Sequence, residues 1–343
     1  ATTEIYTLSL HDALPIFVMS DRCLFSAPFT FLPPTVIEAY EALMTTDFRE
    51  IWSRDELEPD SSLTVWLMNP GQNFIIDDGV LELYPSLKVL VTPSTGRNHI
   101  SEAACKRRNL PVYSLLDDRE TLDSITASSE FTFLLLLNAL RRLDVGMAEV
   151  SAGRWRQRES LMRGRELAGK QVGLVGLGRI GRRLARYCRA FDADVAYYDP
   201  YVLTEDLPVW SLEEIFSQAD AVCICCALTP ETTGMISGDL LRRLKPEATL
   251  INSSRGEVVV EADLVEVLAD RSDLRVGLDV LPGEVTNTHH ESPLLEFHRS
   301  GQIVVTPHIA GASVESQSKA ALGALNIIRN HFRSSINANL TAT

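Results

Sequence analysis

Three charged side chains follow predicted strands in the second half of this 343-residue sequence. Arg255 ends the segment INSSRG, Glu284 lies in GLDVLPGEV and His308 lies in VVTPHIAGAS. An arginine can clamp a carboxylate with two parallel hydrogen bonds, and a histidine can take or give a hydroxyl proton. An acid beside the histidine would hold the ring and stabilise its imidazolium form. Together these residues fit hydride transfer at a carbon that bears a hydroxyl group beside a carboxylate.

A glycine-rich turn indicates a dinucleotide site in the same half of the chain. Residues 176–181 read GLGRIG, after the apolar strand VGLVG and at the start of a helix predicted over 179–191. The first glycine permits the tight turn, the second lets the backbone approach a pyrophosphate, and the third lets helix and strand pack closely. The helix start supplies unpaired N–H groups to the phosphates. We therefore expect the cofactor to contact Gly176, Gly178, Arg179, Ile180 and Gly181.

The next predicted strand ends in Asp199, about 20 residues after the turn, where an acid binds the ribose hydroxyls of NAD. Its charge would repel a 2′-phosphate, and the following Pro200-Tyr201 supplies no arginine to neutralise one. The sequence therefore favours NAD over NADP. Each of these features has a structural alternative, such as a plain glycine turn, a histidine cap or a surface arginine. Their joint occurrence favours the functional interpretation.

Strands and helices alternate along the chain, which predicts parallel sheets covered by helices. In the first part we predict strands over 22–27, 62–68, 87–92 and 111–115, with helices over 33–44 and 101–109. A long amphipathic segment spans 128–145. The second series has apolar strands over 172–176, 194–199, 221–228, 248–254, 275–280 and 302–307, followed by a helix over 313–332.

Composition limits the classes of partner. Hydrophobic residues make up 45% and charged residues 23%, which is ordinary for a globular protein, and the formal net charge is −14. Such a surface disfavours nucleic acid and anionic membranes. The longest apolar runs, such as 131–137 and 221–228, are too short to span a bilayer. The six cysteines predict no metal site, and reduced thiols favour the cytoplasm. We expect buried thiols on one strand at Cys223, Cys225 and Cys226.

The first 16 residues need separate treatment. They lack the basic start and the unbroken apolar stretch of a signal peptide. The run EIYTLSLHDALPI looks like translated sequencing-adapter read-through. We therefore expect residues 1–16 to be non-native, the alternative being an unstructured extension.

Over roughly residues 60–330 the sequence resembles the D-isomer-specific 2-hydroxyacid dehydrogenase family. The matching segments are RELAGKQVGLVGLGRIGRRLA, LTPETTGMI, INSSRGE, GLDVLPGE and VVTPHIAGAS. The resemblance implies an α/β fold with two Rossmann-like domains, the NAD-binding domain (125–314) being inserted into a smaller flavodoxin-like substrate domain (17–124 and 315–343). It also implies a homodimer.

The same resemblance implies roles for individual residues. Arg255, Glu284 and His308 match the family's catalytic positions. Asp279 would contact the nicotinamide amide, and Thr229 in LTPETTGMI would contact the cofactor. The loop Ser94-Thr95-Gly96 would offer backbone N–H groups to the substrate carboxylate.

The sequence departs from the family pattern at several points. The usual G-V-G-like loop reads Ser94-Thr95-Gly96, an Asp usual a few residues later is Ser101, and the usual His-x-Pro-Leu-Thr reads Cys225-Cys226-Ala227-Leu228-Thr229. After RG, the usual Val-Asp-Glu is Val259-Val260-Glu261. Substrate identity and details of cofactor contact are left open by these changes. Glu284 argues against the related formate dehydrogenases, which replace the acid partner of the histidine.

Two functions remain open from the sequence. The first is an NAD-dependent dehydrogenase or reductase of a small 2-hydroxy or 2-oxo acid, with phosphoglycerate, glycerate/hydroxypyruvate and D-lactate as candidate substrate classes. The second is an NAD-sensing binding protein like the C-terminal-binding corepressors, which share the fold. Arg97 follows the carboxylate-binding loop and could reach the distal end of a substrate, although an exposed arginine at a helix start is the simpler interpretation.

Overall fold

A computed structural model describes residues 19–341 of the chain, and the side chains of residues 21–334. The predicted non-native segment, residues 1–16, lies outside the described residues. The described chain forms two compact units. The first runs to Leu122 and resumes at Gln317, and the second spans Asp123–Ser316.

The first unit contains a five-stranded parallel sheet. Its strands are β1 (Met19–Phe25), β2 (Met44–Phe48), β3 (Val65–Leu67), β4 (Val89–Thr92) and β5 (Val112–Ser114), in the order β2-β1-β3-β4-β5. That order is the flavodoxin-like arrangement, as the family resemblance implies. The connecting helices are α1 (Pro34–Leu43), α2 (Asp78–Glu82), α3 (Glu102–Arg107) and α4 (Arg119–Ser124).

Local sequence explains where these helices begin. Pro34 is the first residue of α1, a position where the missing N–H is not needed. The side chain of Asp77 accepts a hydrogen bond from the Val80 N–H, and that of Ser101 accepts one from the Ala104 N–H. Each side chain thus satisfies an otherwise unpaired donor in the first helical turn.

The strand β2 is absent from the sequence-based prediction. Its residues, Met44–Phe48, read MTTDF and alternate between buried and exposed side chains. The strand lies at the edge of the sheet and pairs with β1. An edge strand exposes one side to water, so it lacks the continuous apolar run that marks the central strands.

The second unit contains a six-stranded parallel sheet. Its elements, in chain order, are α5 (Ala127–Arg141), α6 (Leu143–Ser151), α7 (Glu159–Met162), β6 (Gln171–Val175), α8 (Arg179–Ala190), β7 (Asp194–Tyr198), α9 (Leu212–Gln218), β8 (Ala221–Ile224), α10 (Gly238–Leu241), β9 (Thr249–Asn252), α11 (Glu261–Asp270), β10 (Arg275–Leu278), α12 (Leu294–Arg299) and β11 (Ile303–Val305).

The strand order of this sheet is β11-β10-β9-β8-β6-β7. An isolated parallel bridge from Tyr197 to Val209 adds a single further pairing beside β7. When that bridge is counted as a strand and the sheet is read from its side, the first six strands follow the order 3-2-1-4-5-6. This is the arrangement of dinucleotide-binding folds. The direction of the connections reverses between β6 and β8, and ligands bind at such a switch point, beyond the carboxyl ends of the strands.

The amphipathic segment predicted over 128–145 is two helices rather than one. The break falls at Arg142, whose φ of +54° is left-handed and ends α5. The helix α5 packs against β9, β10 and α8. Its buried residues Leu135 and Leu136 contribute to the core on that face of the sheet.

The last helix, α13 (Val314–Thr341), returns the chain to the first unit. Its residues Ala321, Ala324 and Ile328 are buried against the face of the sheet that α1 also covers. The buried Tyr40 hydroxyl of α1 donates a hydrogen bond to the Ala321 carbonyl oxygen at 2.7 Å. Neither α13 nor any other helix within residues 19–341 is both long and apolar enough to cross a membrane.

Candidate active site

The glycine-rich turn joins β6 to α8. Gly176 has φ +99°, and a Cβ there would lie 2.8 Å from the backbone nitrogen of Cys226. A Cβ on Gly181 would lie 2.3 Å from the Gly176 carbonyl oxygen. Gly178 differs, because a Cβ on it would meet no atom within 4 Å. Two of the glycines are therefore required by the packing itself, whereas the third leaves open space in front of the helix.

That open space adjoins an uncapped helix start. The helix α8 begins at Arg179 with Gly178 as its N-cap, and no side chain accepts from its first turn. The first N–H groups of a helix have no partner within it and carry its positive dipole. A pyrophosphate fits both the space and these donors. The guanidinium of Arg179 donates to the Ile125 carbonyl oxygen at 2.6 Å, so the backbone of Arg179 and Ile180 is the part left for an anion.

Asp199 follows β7 and lies beside the glycine-rich turn. Its Oδ2 accepts the Leu177 N–H at 2.8 Å and its Oδ1 accepts the Tyr201 N–H at 2.9 Å. These two bonds fix the carboxylate at the edge of the turn. Selection of NAD by this acid stays a prediction.

The residues after β8 form the other side of the switch point. This strand ends at Ile224, so Cys225 and Cys226 follow it and are half-buried, while Cys223 lies on the strand and is fully buried. The prediction of three buried thiols on one strand is therefore correct only for Cys223. Thr229 lies in the next turn, where its N–H donates to the Thr232 hydroxyl at 2.7 Å.

Arg255 is positioned by a turn that directly follows β9. The buried Asn252 amide donates to the Arg255 carbonyl oxygen at 2.9 Å and accepts the Ser254 N–H at 3.0 Å. The guanidinium donates from Nη1 to the Ser254 carbonyl oxygen at 2.6 Å. Burial lowers the pKa of Arg255, and the negative charges of Glu284 and Glu257 oppose that shift. Arginine stays protonated in proteins, so the turn presents a partly desolvated positive charge.

His308 and Glu284 form the closest acid–base contact of the site. Nδ1 of His308 lies 2.5 Å from Oε2 of Glu284. The backbone of His308 is left-handed, with φ +53°, and its N–H donates to the Asp279 carbonyl oxygen at 2.8 Å. The imidazole is 42% exposed, which leaves its other edge accessible to a substrate. The arrangement matches that of a general acid–base held by a carboxylate.

The ionisation of Glu284 reflects competing effects. Burial raises its pKa, while the hydrogen bond and charge of His308, the Leu281 N–H and Arg255 lower it. The net result is a pKa below the ordinary glutamate value. Oε1 accepts the Leu281 N–H at 2.9 Å, so each oxygen of the carboxylate has a defined partner. Glu284 is therefore a fixed anion at neutral pH.

Asp279 is fully buried and organises the loop that carries His308. Its Oδ1 accepts the Thr306 hydroxyl at 2.6 Å and the Ile309 N–H at 3.0 Å, and its Oδ2 accepts the Ala310 N–H at 2.8 Å. Burial raises the pKa of Asp279, against these hydrogen bonds. The observed contacts position the backbone on both sides of His308, and the contact with nicotinamide stays a prediction.

The loop Ser94-Thr95-Gly96 lies in the first unit, after β4. The Ser94 hydroxyl is 2.9 Å from that of Thr92 and donates to the Gly96 carbonyl oxygen at 3.1 Å. A role for its backbone N–H groups toward a carboxylate stays a prediction.

The neighbouring Arg97 is already engaged. Its Nη2 donates to Asp117 at 2.9 Å and to Ser114 at 3.2 Å. Its Nε is buried and has no partner in the described part of the chain, and a contact of Arg97 with the distal end of a substrate stays a prediction.

Sequence reasoning missed the residues that hold this site together. Asn252, Glu257 and the backbone role of Asp279 emerge only from the hydrogen bonds. The only signal in the sequence was position, because all three lie near the end of a predicted strand. An amide or acid at such a position is common in turns, where it hydrogen-bonds to the nearby backbone without any catalytic role.

Comparison with known proteins gives the family. Residues 133–310 match the NAD binding domain of the D-isomer specific 2-hydroxyacid dehydrogenases. The chain is 32% identical over 259 residues to D-3-phosphoglycerate dehydrogenase of Mycobacterium tuberculosis (strain CDC 1551 / Oshkosh), covering 74% of this chain and 47% of that protein. It is 33% identical over 249 residues to glyoxylate reductase/hydroxypyruvate reductase of Homo sapiens, covering 70% and 73%.

The chain spans about half the length of the phosphoglycerate dehydrogenases that it matches. Its fold resembles that of D-lactate dehydrogenase from Aquifex aeolicus, solved with NAD and lactic acid, with a TM-score of 0.75, 24% identity, and 92% and 97% of the two chains covered. The matched domain supports NAD as the cofactor, in agreement with the glycine-rich turn and Asp199. The chain therefore belongs to the D-isomer specific 2-hydroxyacid dehydrogenase family.

Proposed function

We propose that the protein is an NAD-dependent oxidoreductase that transfers hydride between nicotinamide and C2 of a small 2-hydroxy or 2-oxo acid. The observation that carries the proposal is the 2.5 Å contact between His308 and Glu284, in a unit that matches an NAD binding domain and that also presents Arg255 beyond a strand end. An acid–base group, its counter-charge and an anion clamp are the groups that this chemistry requires.

In this proposal Arg255 binds the substrate carboxylate. Nε and Nη2 have no partner in the described part of the chain, so they are available for a bidentate contact. The same positive charge would polarise the C2 oxygen and stabilise negative charge that develops on it during reduction.

His308 exchanges the proton of the C2 oxygen. Nδ1 is bound to Glu284, so Nε2 is the ring atom that faces the substrate. During oxidation Nε2 takes the hydroxyl proton, and during reduction it returns that proton to the oxygen. Glu284 remains ionised and stabilises the imidazolium form that exists between these two events.

The cofactor site is proposed to consist of the glycine-rich turn, the start of α8, Asp199, Thr229 and Asp279. NAD, when bound, supplies or accepts the hydride. The chain's own contribution is to hold the pyrophosphate on backbone N–H groups and to select the ribose by the Asp199 charge.

The substrate is proposed to be a small 2-oxo acid, or the matching 2-hydroxy acid. The names of the matched relatives, which include phosphoglycerate dehydrogenase and glyoxylate and hydroxypyruvate reductases, support phosphoglycerate and glycerate/hydroxypyruvate. D-lactate remains a third class. The Ser94-Thr95-Gly96 loop is proposed to add backbone donors for the substrate carboxylate.

Turnover tests the proposal directly. NADH oxidation should be measured with hydroxypyruvate, glyoxylate, 3-phosphohydroxypyruvate and pyruvate, and repeated with NADPH. We expect turnover of at least one acid, with NADH preferred. Tight NADH binding without turnover of any of the four would instead support the corepressor-like binding protein.

We further propose a cytoplasmic homodimer. All six cysteines are free thiols, which suits a reducing compartment. The helices α6 and α7 and the segment between them carry five exposed large apolar side chains: Leu143, Met147, Val150, Trp155 and Leu161. Their concentration in one short stretch of the chain supports this stretch as the dimer contact. Light scattering on the protein as it elutes from a size-exclusion column should give twice the mass of one chain. The substitution Trp155→Ser should lower the measured mass toward that of the monomer.

A further inference from the structure

The turn that carries Arg255 and the turn that carries Glu284 are packed directly against each other. A Cβ on Gly256 would lie 2.1 Å from the carbonyl carbon of Leu281 and 2.2 Å from the nitrogen of Pro282. No side chain fits between the two backbones at this point. The two turns therefore form one packed unit, and their separation sets the distance between the anion clamp and the acid–base pair.

One acidic side chain bridges these turns. Oε1 of Glu257 accepts the N–H of Gly283 at 3.3 Å, and Gly283 is the residue directly before Glu284. Gly283 has φ +79°, and a Cβ on it would lie 2.2 Å from the Thr288 hydroxyl. The N–H bound by Glu257 thus belongs to a turn that is already constrained.

Glu257 also contacts a third turn. Its carbonyl oxygen accepts the N–H of Gly234 at 2.8 Å, at the end of the segment that begins with Thr229. A parallel bridge between Ile236 and Val259 continues this contact. Glu257 therefore lies where the Thr229, Arg255 and Glu284 turns meet, although its own carboxylate bonds to the Glu284 turn.

We infer that Glu257 is a positioning residue, which fixes Glu284 against His308 through Gly283 and sets the position of Arg255. The inference rests on the proposed function for its kinetic consequences. The charged groups around His308 are Glu284 at hydrogen-bond distance, the buried Asp279 and, through Glu284, Arg255. Loosening the Glu284 turn removes the nearest of these charges from the imidazole.

Two substitutions of Glu257 separate the effect of the length of its side chain from the effect of its charge. Glu257→Asp keeps the charge but is one methylene too short to hold the Gly283 N–H. Glu257→Gln removes the charge but keeps an oxygen that can accept that N–H. Glu266→Asp is the matched control, because Glu266 is exposed on α11 and bonds to Arg242 at 3.2 Å, away from these turns.

The inference predicts that one variant loses activity and the other keeps it. In Glu257→Asp we expect kcat for 2-oxo acid reduction to fall about tenfold, and the alkaline limb of the rate to move to lower pH. In Glu257→Gln we expect kcat within about twofold of wild type and a lower KM, because a negative charge near the substrate carboxylate has gone. The control should match wild type.

The result that overturns the inference is equally specific. If Glu257→Asp keeps the wild-type kcat and pH profile, or if Glu257→Gln is as impaired as Glu257→Asp, Glu257 does not position the turn. A lower melting temperature with an unchanged pH profile would show a structural role alone, and would also reject the inference.

A measurement without substrate separates this inference from the proposed function. Amide hydrogen exchange of the 281–288 segment should become faster in Glu257→Asp and stay near wild type in Glu257→Gln. If the wild-type protein turns over no 2-oxo acid, the proposed function fails while the exchange result still decides whether Glu257 holds the turn. Equal exchange in all three proteins would refute the positioning contact.

Discussion

The cofactor turn and the acid–base pair occupy the same edge of one sheet but are built from different parts of the chain. The turn is backbone: Gly176 and Gly181 have no room for a Cβ, and Gly178 faces open space. The acid–base pair is made of side chains, with His308 and Glu284 in contact at 2.5 Å. Adding atoms should therefore damage the glycine-rich turn, whereas removing a functional group should damage the acid–base pair.

The largest effect is expected at His308. His308→Asn removes the ring that exchanges the proton, so kcat should fall about 10²-fold or more in both directions. NADH affinity, measured by fluorescence titration, should stay near wild type because the glycine-rich turn is untouched. His290→Asn, at an exposed histidine, is the control. A matching loss of NADH affinity would show that the two regions are not independent.

Two alanine substitutions should divide the glycine-rich turn by role. Gly178→Ala adds a methyl group to open space, so the melting temperature should hold while NADH affinity falls at least about tenfold. Gly181→Ala forces a contact with a backbone oxygen, so the melting temperature should fall by several degrees. Calorimetry and fluorescence titration test both. Unchanged NADH affinity in Gly178→Ala would mean that no pyrophosphate lies there.

Glu284→Gln keeps a hydrogen-bonding group but removes the charge that stabilises imidazolium. The alkaline limb of the reduction rate should move to lower pH, with kcat at neutral pH reduced about tenfold. A pH–rate profile of both proteins measures the shift. An unmoved limb would require another acid to act on His308.

The pKa of Glu284 adds a test of stability with a defined sign. Because this pKa is lowered in the folded state, the ionised carboxylate stabilises the fold above the ordinary glutamate pKa. That contribution is lost as pH falls through the lowered folded-state pKa. The melting-temperature difference between wild type and Glu284→Gln should therefore be present at pH 7 and shrink in acid. A difference that grows in acid would contradict the assignment.

The smallest effect is expected at Asp199. Asp199→Ser removes the charge that excludes a 2′-phosphate. The ratio of kcat/KM with NADH to kcat/KM with NADPH should therefore fall severalfold. Asp206→Ser, in the loop that follows, is a charge-matched control. Equal use of both cofactors by the wild type would refute this role for Asp199.

The sequence by itself determined the parallel α/β class, the dinucleotide turn, and the family. These rest on local patterns: apolar runs of strand length, a glycine spacing placed between a strand and a helix, and short segments such as VVTPHIAGAS. Element ends were less accurate. The break at Arg142 needs one left-handed residue, and the edge strand β2 needs a neighbour to pair with, so neither leaves a clear mark in the sequence.

Only the tertiary structure decided how the site is held. His308 lies 24 residues from Glu284 in the chain, and Glu257 lies 26 residues from Gly283, so these bonds depend on which strand ends meet. The same is true of Arg97, whose guanidinium is bound by Asp117 rather than left free. Residue type shows which chemistry is possible, but packing between distant turns fixes each donor and acceptor, because a hydrogen bond needs its partner within about 3 Å.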